Sequence, residues 1–264
     1  MAETRTQTMN KPGWLDLSSK DSAASREFYS QLFGWTAEVV SDPAAGGYGM
    51  FRVDGKEVGG VGPTQSEQQP TGWTMHILVE DADDAVRRAR EAGATVLAEP
   101  SDVMGEGRMA MLADPSAAVF GVWQPMRHGG WEMEGAPGSV CWLELQSRDL
   151  KAAADFYEAV FGWEPTKLEL PGQGYTTFAL HRGGDAFAGG MSVPDVAPRS
   201  TPSFWQPYIG VTDTDSAVER AARLGATVVA PPQDAANVGR WAVLQDPQGA
   251  MFGVLTPPEG GPAQ

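Results

Sequence analysis

The chain has 264 residues, and 19 basic against 34 acidic side chains give a net charge of −15. That length holds one large domain or two of about 130 residues, and a hydrophobic content of 42% supplies a core and excludes a disordered chain. The acidic balance argues against a nucleic-acid partner, which needs clustered Lys and Arg, and no run of 18 apolar residues offers a membrane span. Cys141 is the sole cysteine, so neither an intrachain disulfide nor a CxxC site is expected. The polar stretch Met1 to Lys11 lacks the apolar centre of a secretory signal, and a cytoplasmic protein is expected.

In chain order, an alternating strand comes first, at Trp14–Leu17. Asp21 then stands as the N-cap of a helix that ends near Gly34. Strands follow at Tyr48–Val53, Val58–Gly62 and Trp73–Val79. A helix over Ala82–Ala92 ends at Gly93, a strand covers Thr95–Ala98, and a hairpin of Arg108–Leu112 and Ala118–Trp123 turns at Asp114-Pro115. The acidic run Asp81, Asp83 and Asp84 complements the second helix dipole and needs no ligand.

The same order is then written again. FYSQLFGW at 28–35 returns as FYEAVFGW at 156–163, an offset of 128 that also maps Trp14 onto Trp142, Asp16 onto Glu144 and Asp21 onto Asp149. At an offset of 132, GRMAMLADP (107–115) returns as GRWAVLQDP (239–247), and Phe120-Gly121 as Phe252-Gly253. Duplication is the simplest account. Each copy reads βαβββ twice, which predicts an α+β protein of four modules, with mostly antiparallel sheets and helices outside. The predicted domains are 10–126 and 139–257. A Gly- and Pro-rich linker at 127–138 is expected to run over the surface, and 258–264 to form a disordered tail.

A strand, a capping Asp, FYxxxFGW, the AGATV or LGATV helix exit and a closing DP turn before Phe-Gly together resemble the vicinal oxygen chelate superfamily. That group includes glyoxalase I, extradiol dioxygenases and bleomycin-resistance proteins. The resemblance covers both copies. It implies tandem domains in which two βαβββ modules curl into a ligand-holding cup. Metal-dependent members use four ligand positions, filled by His, Glu or Gln. Carried onto this chain, the first falls on Trp14 and Trp142, the third on Thr74 and Gln206, and the fourth on Gly121 and Gly253. The second falls within Val58–Val61 and Ala188–Met191, next to Glu57. An indole has no acceptor lone pair and glycine has no side chain, so no metal and no other cofactor is expected.

Strand alternation places Trp14 with Asp16, Thr74 with His76, Trp142 with Glu144, and Gln206 with Tyr208 on shared faces. With Gly121 and Gly253, expected to open space, these are the candidate ligand-binding residues. The primary expectation is metal-independent binding of a hydrophobic or aromatic small molecule, in resistance, sequestration or secondary metabolism. The alternative is a metal-free isomerase, cyclase or lyase using Asp16 with His76, or Glu144 with Tyr208, as acid–base groups. A metal-dependent glyoxalase or dioxygenase is disfavoured by the missing ligands. The bland alternatives are that Trp14 and Trp142 are core aromatics and that the acids are solvated at a rim. His128 and His181 read as surface groups, Arg108 and Arg240 as salt-bridge partners, and Cys141 as a buried small residue. Four modules in one chain permit a pseudo-twofold monomer, a homodimer being the other option, and the diverged copies are expected to bind with different affinity.

Overall fold

The computed structural model describes residues 8–170, 173–193, 198, 201–235 and 238–258. The first copy contains β1 (Pro12–Ser19), α1 (Ser22–Phe33), β2 (Thr36–Val39), β3 (Gly49–Val53), β4 (Lys56–Pro63), β5 (Gly72–Leu78), α2 (Ala82–Glu91), β6 (Thr95–Val103), β7 (Gly107–Ala113) and β8 (Val119–Pro125). The second contains β9 (Val140–Ser147), α3 (Leu150–Phe161), β10 (Glu164–Leu170), β11 (Gln173–Ala179), β12 (Ala188–Ser192), β13 (Phe204–Gly210), α4 (Thr214–Arg223), β14 (Thr227–Ala235), β15 (Gly239–Gln245) and β16 (Met251–Thr256). The predicted βαβββ order therefore appears four times. Each copy forms one eight-stranded sheet, ordered β2-β3-β4-β1-β5-β8-β7-β6 and β10-β11-β12-β9-β13-β16-β15-β14. The first and last strands of each module pair in parallel, and the hairpins antiparallel. No described helix is long and apolar enough to cross a membrane.

Local chemistry sets the helix ends. The carboxylates of Asp21, Asp81, Asp149 and Asp213 accept from Ala24, Asp84, Ala152 and Ser216 backbone N–H groups at 2.8–3.0 Å, satisfying donors that the first turn leaves free. Gly34 and Gly162 close α1 and α3 at φ of 73° and 71°, a left-handed conformation in which a Cβ would be strained.

Contacts group the chain into two compact units. One comprises the described residues of 8–14, 74–130 and 143–205, the other those of 15–73, 131–142 and 206–258. Each unit thus joins one module of the first copy to one of the second, and the duplicated motifs meet there. In the second unit, Trp73 Nε1 donates to the Tyr29 hydroxyl at 3.0 Å, and that hydroxyl donates to Asp246 Oδ2 at 3.0 Å. Oδ1 of Asp246 accepts from the backbone of Gln248 and Ala250. The FY motif of one copy is therefore bonded to the DP turn of the other. In the first unit Trp205 Nε1 donates to Tyr157 at 2.7 Å, with Asp114 as the acidic neighbour. Burial, and the charge of Asp246 beside Tyr29 and of Asp114 beside Tyr157, push both phenols well above their ordinary pKa. Burial likewise raises both carboxyls, opposed by the hydrogen bonds they accept. Phe28, Phe33, Trp35, Phe51 and Phe252 pack around Tyr29. Phe120, Phe156, Trp163 and Phe178 pack around Tyr157.

Two expectations are corrected. The 127–138 segment does not simply run over the surface. Trp131 is buried, Trp35 Nε1 donates to the Gly138 carbonyl at 2.8 Å, and Glu132 N bonds Glu57 O. His128 is half-buried, with its ring edge-on to Trp14 at 4.4 Å between centroids. His181 is exposed, as expected. Arg108 pairs with Asp83 and Asp102, and Arg240 with Asp215 and Asp234, as the repeat predicted. Residues 259–264 of the expected tail lie outside the described residues.

Candidate functional site

In all four modules an aromatic ring lies over a glycine. The helices occupy one face of each sheet. Phe51, Phe120, Phe178 and Phe252 contact Tyr29 or Tyr157 of α1 or α3, so their strand neighbours point to the opposite face. On that face Asp16 is in register with Gly60, His76 with Gly121, Glu144 with Gly189 and Tyr208 with Gly253. A Cβ at Gly60 would fall inside the Tyr48 phenol, one at Gly121 inside the His76 imidazole, one at Gly189 inside the Tyr175 phenol, and one at Gly253 inside the Tyr208 ring. The expectation that Gly121 and Gly253 open space is therefore corrected. A neighbouring ring already fills each position, and only glycine lets it lie against the backbone.

Each acid accepts a tyrosine hydroxyl that the sequence reading did not assign to it. Within its own module Asp16 takes the Tyr48 hydroxyl, donated to Oδ1 at 2.5 Å. Glu144 takes the Tyr175 hydroxyl at Oε2 at 3.1 Å and Gln146 Nε2 at Oε1 at 2.7 Å. All five side chains are half-buried. The sequence reading missed Tyr48 and Tyr175. The signal available was a Gly-Tyr step three residues before Phe in each copy, Gly47-Tyr48 to Phe51 and Gly174-Tyr175 to Phe178.

The copies diverge beside the other two seats. Thr74 is half-buried, whereas His76 and Trp14 are buried. In the first copy Trp123 folds over Gly107, which has no Cβ to obstruct it, and donates from Nε1 to the His128 carbonyl at 2.9 Å. His128 in turn meets Trp14, so this corner is closed by rings. In the second copy Leu255 replaces Trp123. Tyr208 packs with Val243 and Leu255, and half-buried Trp142, Trp241, Met251, Ala230 and Cys141 flank them. Tyr208 and Trp241 are edge-to-face at 6.5 Å. Gln206, two residues from Tyr208 and on its face, is buried, and its Nε2 meets no acceptor among the described residues. The second copy thus presents an apolar aromatic wall with one buried donor beside it. Burial pushes the Cys141 thiol up to about 12, which leaves it a packing residue.

The donor set at the first, third and fourth expected metal positions does not fit a divalent ion. Two indoles, a hydroxyl, an amide and two bare glycines supply no imidazole or carboxylate at those positions. Among the described residues no three His, Cys, Asp or Glu side chains gather as a metal site.

Comparison with known proteins agrees with this architecture. Residues 11–122 and 123–254 each match the glyoxalase/bleomycin resistance protein/dioxygenase superfamily. The anthracycline biosynthesis protein DnrV of Streptomyces peucetius is 42% identical, over 96% of this chain and 95% of its own length. A Mycobacterium tuberculosis protein provisionally named glyoxylase CFP32 is 37% identical, over 93% of this chain and 94% of its own. Among solved structures, the Mn(II)-bound glyoxalase of Novosphingobium aromaticivorans superposes with a TM-score of 0.65 at 16% identity, over 94% of this chain and 82% of that one. That likeness speaks for the fold alone.

Proposed function

The chain belongs to the glyoxalase/bleomycin resistance protein/dioxygenase superfamily, and from that premise we propose that it binds a flat aromatic small molecule of secondary metabolism without a metal. The observation that carries this reading is the wall of the second copy, with Tyr208 seated on Gly253 and half-buried Trp142, Trp241 and Met251 beside it. Flat rings and a polarizable thioether suit an apolar π-system. The buried Gln206 Nε2 is a donor for a carbonyl on such a ligand, which would offset the cost of leaving it unpaired. The kinship with DnrV, named for anthracycline biosynthesis, supports a polycyclic aromatic ligand.

Quenching of tryptophan fluorescence by an anthraquinone, measured after chelator treatment, tests this. Micromolar quenching that Trp241→Ala weakens is the expected result. Binding that appears only on adding a divalent metal would overturn it. A second reading, a metal-free acid–base enzyme, is favoured by the carboxylate–tyrosine pairs recurring in both copies. Turnover lost in Asp16→Asn with binding retained would select it.

A further inference from the structure

The two carboxylate–tyrosine pairs hold chemistry that the aromatic wall lacks. A phenol has one proton and an oxygen with two lone pairs. In both pairs the proton is spent on the carboxylate, so toward any other group the phenol oxygen acts as an acceptor. A charged hydrogen-bond partner polarises that oxygen and strengthens it as an acceptor. The glycine beneath fixes the oxygen's position, since a side chain at Gly60 or Gly189 would occupy the phenol's volume. Both pairs lie on the sheet face opposite the helices and are half-buried. An acid there costs free energy unless it is bonded, yet the arrangement recurs although the acid changes from Asp to Glu. The offsets between copies are 128 for the acid, 127 for the tyrosine and 129 for the glycine. The pair therefore survives small length changes in the loops that connect its parts.

We propose that Asp16–Tyr48 and Glu144–Tyr175 are two equivalent recognition points for a phenolic hydroxyl, the ligand donating its O–H to the tyrosine oxygen. This deepens the aromatic-binding reading and rests on it. It places the ligand class at hydroxylated rather than alkylated aromatics, because a methyl ether has no proton to donate. The glycine seats give the pairs a defined reach, and the duplicate arrangement gives two such points per chain.

Calorimetric titration of the full chain with 2-hydroxyanthraquinone and with 2-methoxyanthraquinone tests the assignment. The hydroxyl probe is expected to bind about fivefold more tightly, the net value of one hydrogen bond between neutral groups. A Tyr48→Phe/Tyr175→Phe double variant keeps both rings on their glycines and should bind the two probes alike. A Gly60→Ala/Gly189→Ala variant displaces the phenols by a separate route and should also lose the preference. Equal affinity of the native protein for both probes, or a preference surviving the double Phe variant, overturns this inference while leaving aromatic binding in place. Binding of neither probe overturns both.

Discussion

Replacing Tyr29 by Phe isolates one hydroxyl with two buried partners. The ring stays in its cluster of Phe28, Trp35, Phe51, Trp73 and Phe252, so packing is nearly unchanged. What is lost is the acceptor for Trp73 Nε1 and the donor to Asp246 Oδ2, each at 3.0 Å. Leaving a buried donor and a buried carboxylate oxygen unsatisfied costs about 2–4 kcal/mol in sum, which for a protein of this size lowers Tm by about 5–15 °C. The cost should depend on pH. Asp246 already has a folded-state pKa raised by burial, so its contribution is fully present below the unfolded carboxylate pKa and is lost as pH rises through the folded one. The Tyr29 hydrogen bond favours the charged form, and its removal raises the folded pKa further. The variant's penalty should therefore be larger at pH 7 than at pH 4. Thermal melts of native and variant protein at both pH values measure this. A Tm shift under about 2 °C at pH 7, or a penalty that grows on acidification, would refute the argument.

Other outcomes are equally specific. Gly253→Ala should weaken aromatic-probe binding about tenfold or more, because the new Cβ lifts the Tyr208 ring from its seat; fluorescence titration reads it. Arg108→Ala should leave Tm within about 2 °C of native despite two ion pairs, since these are exposed and screened; a melt in low and high salt checks this. Cys141, with its thiol pushed up to about 12, should resist a thiol reagent at pH 8 in the native state and react once unfolded, as a colorimetric assay would show.

The elements were legible because their causes are local. An Asp three residues before a backbone donor, a glycine at a helix end and a two-residue alternation all lie within a few positions of one another, and each survived into the structure. What joins distant strands was not legible. Asp16 meets Tyr48 only because β1 and β4 run parallel with Asp16 opposite Gly60, and nothing near Asp16 in the chain announces that register. Gly121 and Gly253 read as space because a sequence does not display the ring on the neighbouring strand. Trp131, a lone indole among linker glycines, was the overlooked sign that this stretch is partly buried. The FY and DP motifs were read as a helix interior and a turn. Their actual union, Tyr29 with Asp246, lies 217 positions apart.

That union bears on how such a chain could arise. A fragment ending near residue 126 would carry Tyr29 and Asp114, which belong to different bonded sets. It could satisfy both only by meeting a twin and exchanging partners reciprocally. Fusing two such fragments turns an encounter between molecules into a tethered one, at an effective concentration of about millimolar for a short connection. The ancestral handshake then no longer depends on how much protein the cell makes, and each half becomes free to change its surface while the other preserves the grip.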